Sequence, residues 1–165
     1  MKTALFIGRF QPFHIAHLSD IKLALNECDK VIIAVGSSQE SGIKLNPFSY
    51  EEREKMIENT LRSEKILNYD IVPVPDINND KTWVDHVKKI IPRFDLVYTG
   101  NDFTEKLFNE KDIKVRKIEL IPHINATEIR KRILHGHDWK DLVPKEVSEY
   151  IMKIKGVDRV KSING

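Results

Sequence analysis

Short apolar runs alternate with amphipathic stretches about five times along the chain. Continuous aliphatic runs such as KVIIAVGSS (30–38) are typical of strands that are buried on both faces. Between such runs, apolar residues recur at helical spacing, as at Ile15, Leu18 and Ile21. Pro73 cannot donate to a sheet ladder, which favours either a position at the end of its strand or an edge strand. The alternation predicts an α/β fold, with a parallel sheet, helices on both faces and right-handed crossovers.

The turn and capping residues give approximate bounds to these elements. Ser49 and Glu52 have the spacing of a capping box, and Asp102 and Glu105 repeat it before a short helix. Gly156 is expected to lie just past the end of the last helix. The predicted strands are 3–8, 30–38, 69–74, 95–100 and 114–120, and the predicted helices are 15–28, one opening at Ser49, 82–91, one following Asp102, 126–135 and 145–155.

Composition restricts the class of protein. The 165 residues predict a single domain over 1–165, with a helical segment at about 138–165. The formal charge of +2, from 27 basic and 25 acidic residues, is too even to indicate nucleic-acid binding. No apolar run approaches the ~20 residues that span a bilayer. One cysteine, Cys28, excludes an internal disulfide, and its helical position predicts a buried thiol in a cytoplasmic protein.

The stretch GRFQPFHIAH (8–17) contains the strongest chemical signal. Gly8 ends the first predicted strand and allows a ligand to approach the backbone, and Arg9 adds a permanent positive charge. His14 and His17 lie one turn apart at the start of a helix, whose N-terminus favours an anion. A metal site would need a third ligand, which the neighbouring sequence lacks. The pattern therefore favours a phosphate site, while surface or capping roles for the histidines stay open.

Several segments, in order along the chain, resemble one known family. GRFQPFHIAH resembles the His-x-Gly-His signature of the nucleotidyltransferase superfamily, with Ala16 where glycine is usual. INATEIRKR (124–132) resembles the second phosphate motif of that superfamily. The segments NPFSYEER, DINNDKTWV, YTGN and DWKDLVPKEV narrow the resemblance to archaeal-type nicotinamide-nucleotide adenylyltransferases along almost the whole chain.

The resemblance implies a Rossmann-like fold and a reaction. Members of this family join ATP to nicotinamide mononucleotide, giving NAD and pyrophosphate, use Mg²⁺ with ATP, and commonly form homo-oligomers, hexamers among them. Because the phosphate of the mononucleotide is already a nucleophile, catalysis should consist of positioning and of stabilising phosphate charge. His14 and His17 are then hydrogen-bond donors to phosphate rather than a base and a nucleophile.

The resemblance also assigns individual residues. It implies His14, His17 and Arg130 as catalytic residues, with no residue holding a metal. The implied ATP-binding residues are Gly8, Arg9, Phe10, His14, His17, Gly100, Asn101, Asn125, Thr127 and Arg130. The implied acceptor-binding residues are Lys44, Phe48, Arg53, Asp80 and Trp83.

Some positions depart from the family pattern or have two interpretations. Asn125 and Ala126 stand where Ser and Gly are typical, although Asn still caps a helix well. Asp80 stands where relatives can carry Asn, and an acid there would attract a carboxamide but repel a carboxylate. Trp83 fits either stacking on the nicotinamide or packing in the core.

Three other functions compete with this one. The first motif also suits an adenylyltransferase for nicotinate mononucleotide, FMN or pantetheine phosphate. A non-catalytic nucleotide sensor would need no pyrophosphate clamp, so intact His14, His17 and Arg130 count against it. A nucleic-acid surface built on Lys131, Arg132 and VDRVKSING is disfavoured by the net charge.

Overall fold

A computed structural model describes residues 1–165 and contains five strands and seven helices. The strands are β1 (Thr3–Gly8), β2 (Lys30–Gly36), β3 (Tyr69–Val74), β4 (Leu96–Thr99) and β5 (Val115–Lys117). The helices are α1 (Ile15–Glu27), α2 (Tyr50–Ser63), α3 (Asp80–Ile90), α4 (Asp102–Asn109), α5 (Ala126–Leu134), α6 (Lys145–Lys153) and α7 (Gly156–Asn164). A 3₁₀ turn spans Lys140–Leu142. Every predicted strand and helix is present, and α7 is an additional helix.

The chain divides into two compact units, which are described separately. The sheet unit comprises Met1–Gly8, Ser19–Ser38 and Asn68–Leu120. The helical unit comprises Arg9–Leu18, Gln39–Leu67 and Ile121–Gly165. The first turn of α1 therefore belongs to the helical unit, and the rest of α1 belongs to the sheet unit.

The sheet unit is built on a parallel five-stranded sheet in the order β3-β2-β1-β4-β5. Ala4 and Leu5 of β1 are both fully buried, and adjacent strand residues point to opposite faces, so both faces of the central strand are covered. Val84 and Val87 of α3 and Phe108 of α4 pack on one face, in a core cluster with strand residues. These findings confirm the α/β, Rossmann-like fold class.

The strand order reverses beside β1. β1 pairs with β2 on one side and with β4 on the other, with Phe6 opposite Tyr98. In open parallel sheets, ligands bind outside the carboxyl ends of strands at such a point. Gly8 and Gly100 lie at the carboxyl ends of β1 and β4. Of the two positions that Pro73 favoured, the structure shows the edge, since β3 is the first strand in the order.

One predicted helix cap is confirmed and one is wrong. The Ser49 side chain accepts the N–H of Glu52, whose carboxylate accepts the N–H of Ser49, so α2 opens on a complete capping box. Before α4, however, the cap is Asn101, whose side chain accepts the N–H of Thr104 at 2.9 Å. Asp102 is instead the first helical residue and pairs with a lysine of β5.

The expected end of the last helix is also corrected. Lys155, with φ of 57°, is the residue in the left-handed conformation, and Gly156 begins α7 rather than ending α6. Glycine is common after helix ends because it tolerates positive φ. Here its missing side chain serves packing, because a Cβ at Gly156 would lie 2.9 Å from Ile151 Cγ2 and 3.0 Å from Phe48 Cε1.

Gly156→Ala should therefore destabilise the helical unit. We expect the free energy of unfolding to fall by about 1–3 kcal/mol, the usual cost of forcing a methyl group into a packed contact. Urea unfolding followed by circular dichroism measures the loss. Lys161→Ala, at an exposed position of the same helix, is the control. Equal urea midpoints for the two variants would mean that α7 shifts to accept the methyl group without a loss in the free energy of unfolding.

Two expectations from composition concern the thiol and the helices. Cys28 is 5% exposed, which confirms the predicted buried thiol, and burial raises the pKa of that thiol. None of the helices combines the length and the apolar character needed to cross a bilayer.

Candidate active site

Helix α1 begins at a pair of histidines that cap each other. The backbone N–H of His17 donates to Nδ1 of His14 at 3.3 Å, and the N–H of His14 donates to Nδ1 of His17 at 3.2 Å. This is the geometry of a capping box, with two imidazoles in place of the usual hydroxyl and carboxylate. The spacing of three residues thus satisfies two N–H groups at the helix start.

The reciprocal cap decides which ring nitrogen can donate to a ligand. Because each Nδ1 accepts a backbone N–H, each neutral ring carries its proton on Nε2. Burial lowers the pKa of His14 to about 4. Burial, and the neighbouring His14, lower the pKa of His17 well below 6.5. Both rings are therefore neutral at pH 7, with Nε2–H as the donor.

Neighbouring rings fix the orientation of the histidine pair. The imidazoles stack with centroids 3.5 Å apart and an interplanar angle of 16°. Phe13 stacks on His17 at 5.5 Å, and Phe10 meets the same ring edge-on at 4.7 Å. Phe10 is fully buried and has a φ of 54°, so the backbone turns sharply there. The donors are held in one orientation before any ligand arrives.

Arg130 lies on α5 with its guanidinium against the loop before α1. Its Nη1 donates to the carbonyl oxygen of Gln11 at 2.8 Å, and its Nη2 lies 3.5 Å from Thr127 Oγ1. Neither partner neutralises its charge. Burial and the nearby Arg9 both lower the pKa of the Arg130 guanidinium. Two neighbouring cations, one of them half-buried, form a site that an anion would stabilise.

The N-terminus of α5 adds to this positive potential. Asn125 Oδ1 accepts the N–H of Glu128 at 2.8 Å, so the predicted asparagine cap is present. The remaining N–H groups of the first turn carry the partial positive charge of the helix dipole. Thr127 lies in that turn and Arg130 follows one turn later, so both predicted residues belong to one end of one helix.

Two buried side chains support the loop that carries Arg9 to Phe13. Arg53 is fully buried and donates to the carbonyl of Arg9 at 2.9 Å and, through Nε, to the carbonyl of Ser49 at 3.1 Å. Gln11 is 2% exposed, and its side-chain amide pairs with both the N–H and the carbonyl of Phe48. Sequence reasoning missed Gln11, because a glutamine in a turn has no pattern that predicts burial.

Lys44 lies near Arg130. A cavity of about 210 Å³ in the helical unit is lined by Lys44, Leu45, Thr127, Arg130, Lys131, Leu134 and Asn164. Three of these side chains are basic, which suits a phosphate group. The helical unit thus contains His14, His17, Arg9, Phe10, Asn125, Thr127, Arg130, Lys44, Phe48 and Arg53 of the predicted site residues.

The other predicted residues belong to the sheet unit. Gly100 follows β4, and a Cβ there would lie 2.6 Å from Leu120 Cδ2. Asn101 caps α4, Asp80 is the exposed first residue of α3, and Gly8 ends β1. Trp83, in the first turn of α3, is partly buried and meets Phe108 edge-on at 5.7 Å.

The chemistry of these side chains does not match a metal site held by protein. No group of three or more His, Cys, Asp or Glu side chains is placed to hold an ion. In the helical unit, Nδ1 of each capping histidine accepts a backbone N–H, and the neighbouring Arg9 and Arg130 are cationic. The arrangement can instead bind phosphate oxygens and stabilise negative charge on them.

Comparison with known proteins identifies the family. Residues 5–153 match the model of the cytidylyltransferase-like family. The chain is 41% identical over 163 residues to a nicotinamide-nucleotide adenylyltransferase of Thermoplasma volcanium, covering 98% of this chain and 92% of that protein. It is 44% identical over 163 residues to the nicotinamide-nucleotide adenylyltransferase of Methanococcus aeolicus, covering 98% and 94%.

A solved structure shares the fold. It is a bifunctional NMN adenylyltransferase/ADP-ribose pyrophosphatase of Francisella tularensis complexed with AMP and a manganese ion. The TM-score is 0.84 at 27% identity, over 98% of this chain. This chain spans about half of that bifunctional protein, 51% of its length. On the matches at 41% and 44% identity over nearly the full length, the chain belongs to the nicotinamide-nucleotide adenylyltransferase family, within the cytidylyltransferase-like family.

Proposed function

We propose that this enzyme transfers the adenylyl group of ATP to nicotinamide mononucleotide, forming NAD and releasing pyrophosphate. The observation that carries the proposal is the reciprocal cap of His14 and His17, which holds two neutral Nε2–H donors in the unit that contains Arg130. Full-length relatives named nicotinamide-nucleotide adenylyltransferase support this choice of substrates.

The reaction needs no protein nucleophile. A phosphate oxygen of the mononucleotide attacks the α-phosphorus of ATP. The bond between that phosphorus and the oxygen that bridges the α- and β-phosphates breaks. Pyrophosphate leaves with the electron pair. His14 and His17 donate to phosphate oxygens, whose negative charge grows in the transition state. Arg130 binds the β- and γ-phosphates and stabilises the leaving pyrophosphate.

Magnesium is proposed to enter with the nucleotide. Mg²⁺ usually keeps several waters and binds to substrate phosphates with only one or two protein carboxylates. When bound, it neutralises phosphate charge. The cationic side chains of the helical unit add to that neutralisation from the protein side.

The remaining roles divide between contact and support. We assign Gly8, Arg9, Phe10, Asn125 and Thr127 to the ATP phosphates, and Gly100 and Asn101 to the adenosine. Lys44 is assigned to the phosphate of the acceptor, and Asp80 and Trp83 to its nicotinamide. Phe48 and Arg53 are fully buried with protein partners, so we assign them to the support of the site.

The wider setting of the protein is also a proposal. We infer one nucleotidyltransferase domain over 1–165, supported by a family match that runs from 5 to 153 through both units. A single, buried cysteine supports a cytoplasmic enzyme. The family resemblance supports a homo-oligomer, hexamers being among the forms that the family takes, and sedimentation velocity would test it.

A panel of acceptors tests the proposed reaction. Purified protein, ATP and Mg²⁺ are incubated with nicotinamide mononucleotide, nicotinate mononucleotide, FMN or pantetheine phosphate, and pyrophosphate release is measured. We expect the highest kcat/KM with nicotinamide mononucleotide. Preference for another acceptor would reassign the substrate. ATP binding without pyrophosphate release from any acceptor would favour a nucleotide sensor.

Trp83→Ala tests the acceptor pocket. We expect the KM for nicotinamide mononucleotide to rise at least several-fold, because an aromatic face contributes about 1–2 kcal/mol to binding a desolvated cation. The KM for ATP should hardly change. Trp83→Phe, which keeps an aromatic face, is the control. Because Trp83 contacts Phe108, the melting temperature is measured in parallel. A lower melting temperature with a normal KM would show that Trp83 only packs.

A further inference from the structure

The guanidinium of Arg159, on α7, contacts the segment that opens α2. Its Nη1 lies 2.6 Å from Glu52 Oε2, and its Nη2 donates to Glu52 Oε1 at 2.8 Å. Nη1 also donates to the carbonyl of Pro47 at 3.2 Å, and the guanidinium carbon lies 5.9 Å from the centroid of the Phe48 ring. A bidentate arginine–carboxylate pair of this kind fixes the relative orientation of the two side chains and is stronger than a single hydrogen bond.

The Glu52 carboxylate also accepts a hydrogen bond from the capping box of α2. The same Oε2 accepts the N–H of Ser49 at 2.9 Å in the capping box of α2. Burial opposes ionisation of Glu52, but the hydrogen bonds from Arg159 and Ser49 outweigh it and lower the pKa of that carboxyl. The pair is only partly exposed, at 30% for Arg159 and 19% for Glu52. Arg159 therefore holds the start of α2 through a charged, partly desolvated contact.

The held segment connects directly to the phosphate site. Phe48 donates its N–H to Gln11 Oε1 at 3.0 Å, and its carbonyl accepts from Gln11 Nε2 at 2.9 Å. The carbonyl of Gln11 in turn accepts from Arg130 at 2.8 Å. A continuous series of contacts thus runs from Arg159 through Phe48 and Gln11 to Arg130, all within the helical unit.

We propose that Arg159 is a positioning residue for the pyrophosphate-binding guanidinium of Arg130. The inference rests on the proposed function, and it assigns to α7 a role in catalysis beyond stability. Arg159 holds Phe48 in position to hydrogen-bond with the Gln11 side chain. The carbonyl of Gln11 accepts one N–H of the Arg130 guanidinium. The other N–H groups of that guanidinium then point in a fixed direction for two phosphate oxygens.

Arg159→Met tests the proposal, with Lys161→Met on the exposed side of the same helix as the matched charge control. Assays run well below the melting transition of each variant, so that all of the enzyme is folded. We expect kcat/KM for ATP to fall by about tenfold in Arg159→Met, which is within the range for residues that act through a contact network. Lys161→Met should stay within twofold of the unaltered enzyme.

A purely structural role gives a different result. In that case Arg159→Met lowers the melting temperature but leaves kcat/KM for ATP unchanged, which would overturn the proposal. If Arg159→Met does not fold, Arg159→Lys replaces it. Lysine keeps a charge beside Glu52 but cannot reach both of its oxygens and the Pro47 carbonyl, so a smaller loss, of about threefold, is expected. Unchanged kinetics in that variant would equally overturn the proposal.

A double variant tests the route through Gln11. In a Gln11→Met background, Arg159→Met should add less than twofold to the loss, because residues in one network are not additive. A full tenfold further loss would overturn the route. ATP affinity is measured by calorimetry on every variant. This measurement does not depend on the acceptor. If no acceptor supported turnover, that result would reject the proposed function, and the ATP affinities would still test the role of Arg159.

Discussion

His17→Asn should lower kcat about a hundredfold while leaving the fold intact, because removing one preorganised donor to a charged transition state costs roughly 10²–10³ in rate. Asparagine can place Oδ1 where Nδ1 of His17 accepts the N–H of His14, so the cap of α1 is retained. It has no donor at the position of Nε2. The contacts of the ring with Phe10 and Phe13 are lost, at a cost of about 1 kcal/mol in stability.

His17→Gln is the matched control for the same position. Its amide nitrogen lies near the position of Nε2, so it keeps a donor to phosphate but gives up the acceptor that caps His14. We expect His17→Gln to retain several-fold more activity than His17→Asn and to melt at a lower temperature. Rapid-quench measurement of single-turnover adenylyl transfer gives the chemical rate. If His17→Asn kept half of the native rate, His17 would be a helix cap without a phosphate role.

Imidazole NMR checks the protonation state behind this prediction. Because burial depresses the pKa of His14 to about 4, its ring should stay neutral with the proton on Nε2 as the pH falls from 7 to about 5. Nitrogen chemical shifts distinguish the two tautomers directly. Titration of either ring near pH 6.5 in the free enzyme would contradict the reciprocal cap.

Arg130→Lys should lower kcat/KM for ATP by one to two orders of magnitude, roughly 1.4–3 kcal/mol of transition-state binding. The guanidinium of Arg130 can hold the Gln11 carbonyl with one nitrogen while its other N–H groups bind phosphate. An ammonium is a single point charge on one nitrogen, so it cannot present a two-nitrogen fork to phosphate while it also holds the carbonyl. We expect both the affinity for ATP and the turnover number to fall.

Arg132→Lys supplies the comparison on the same helix. Arg132 donates to Glu128 at 3.1 Å and to the carbonyl of Asp138, in a surface network that includes neither Gln11 nor the histidines. A partly exposed pair between neighbouring turns of one helix contributes little to stability and does not touch the site, so activity should stay within twofold. Steady-state kinetics with varied ATP measure both variants. Equal, small effects would place Arg130 on a solvated helix face.

The sequence alone contains enough local information for the elements and for the pairing of the two histidines at the start of α1. Strands and helices follow from apolar periodicity, and the Ser49–Glu52 cap follows from a spacing of three residues within one turn. His14 and His17 could be paired for the same reason. These predictions succeed because the interacting groups are neighbours along the chain, so pattern and geometry coincide.

The sequence is less informative where one residue type serves two purposes. Gly156 is typical of a helix end, yet in the structure its missing side chain leaves room for Phe48 and Ile151 to pack against the backbone. Asp102 fits a cap, yet Asn101 takes that role one residue earlier. In both cases the residue has the right local chemistry, and its neighbours in the fold decide which use is made of it.

Only the tertiary structure could reveal the support of the site. Gln11 and Phe48 are 37 residues apart, Gln11 and Arg130 are 119 apart, and Glu52 and Arg159 are 107 apart. No periodicity links positions at such separations, because each pairing arises when distant helices pack and bury their polar groups together. The sequence determined which residues carry donors suited to phosphate. The packing of α2, α5 and α7 decided how those donors are held, because a buried arginine or glutamine must find its partners wherever the folded chain places them.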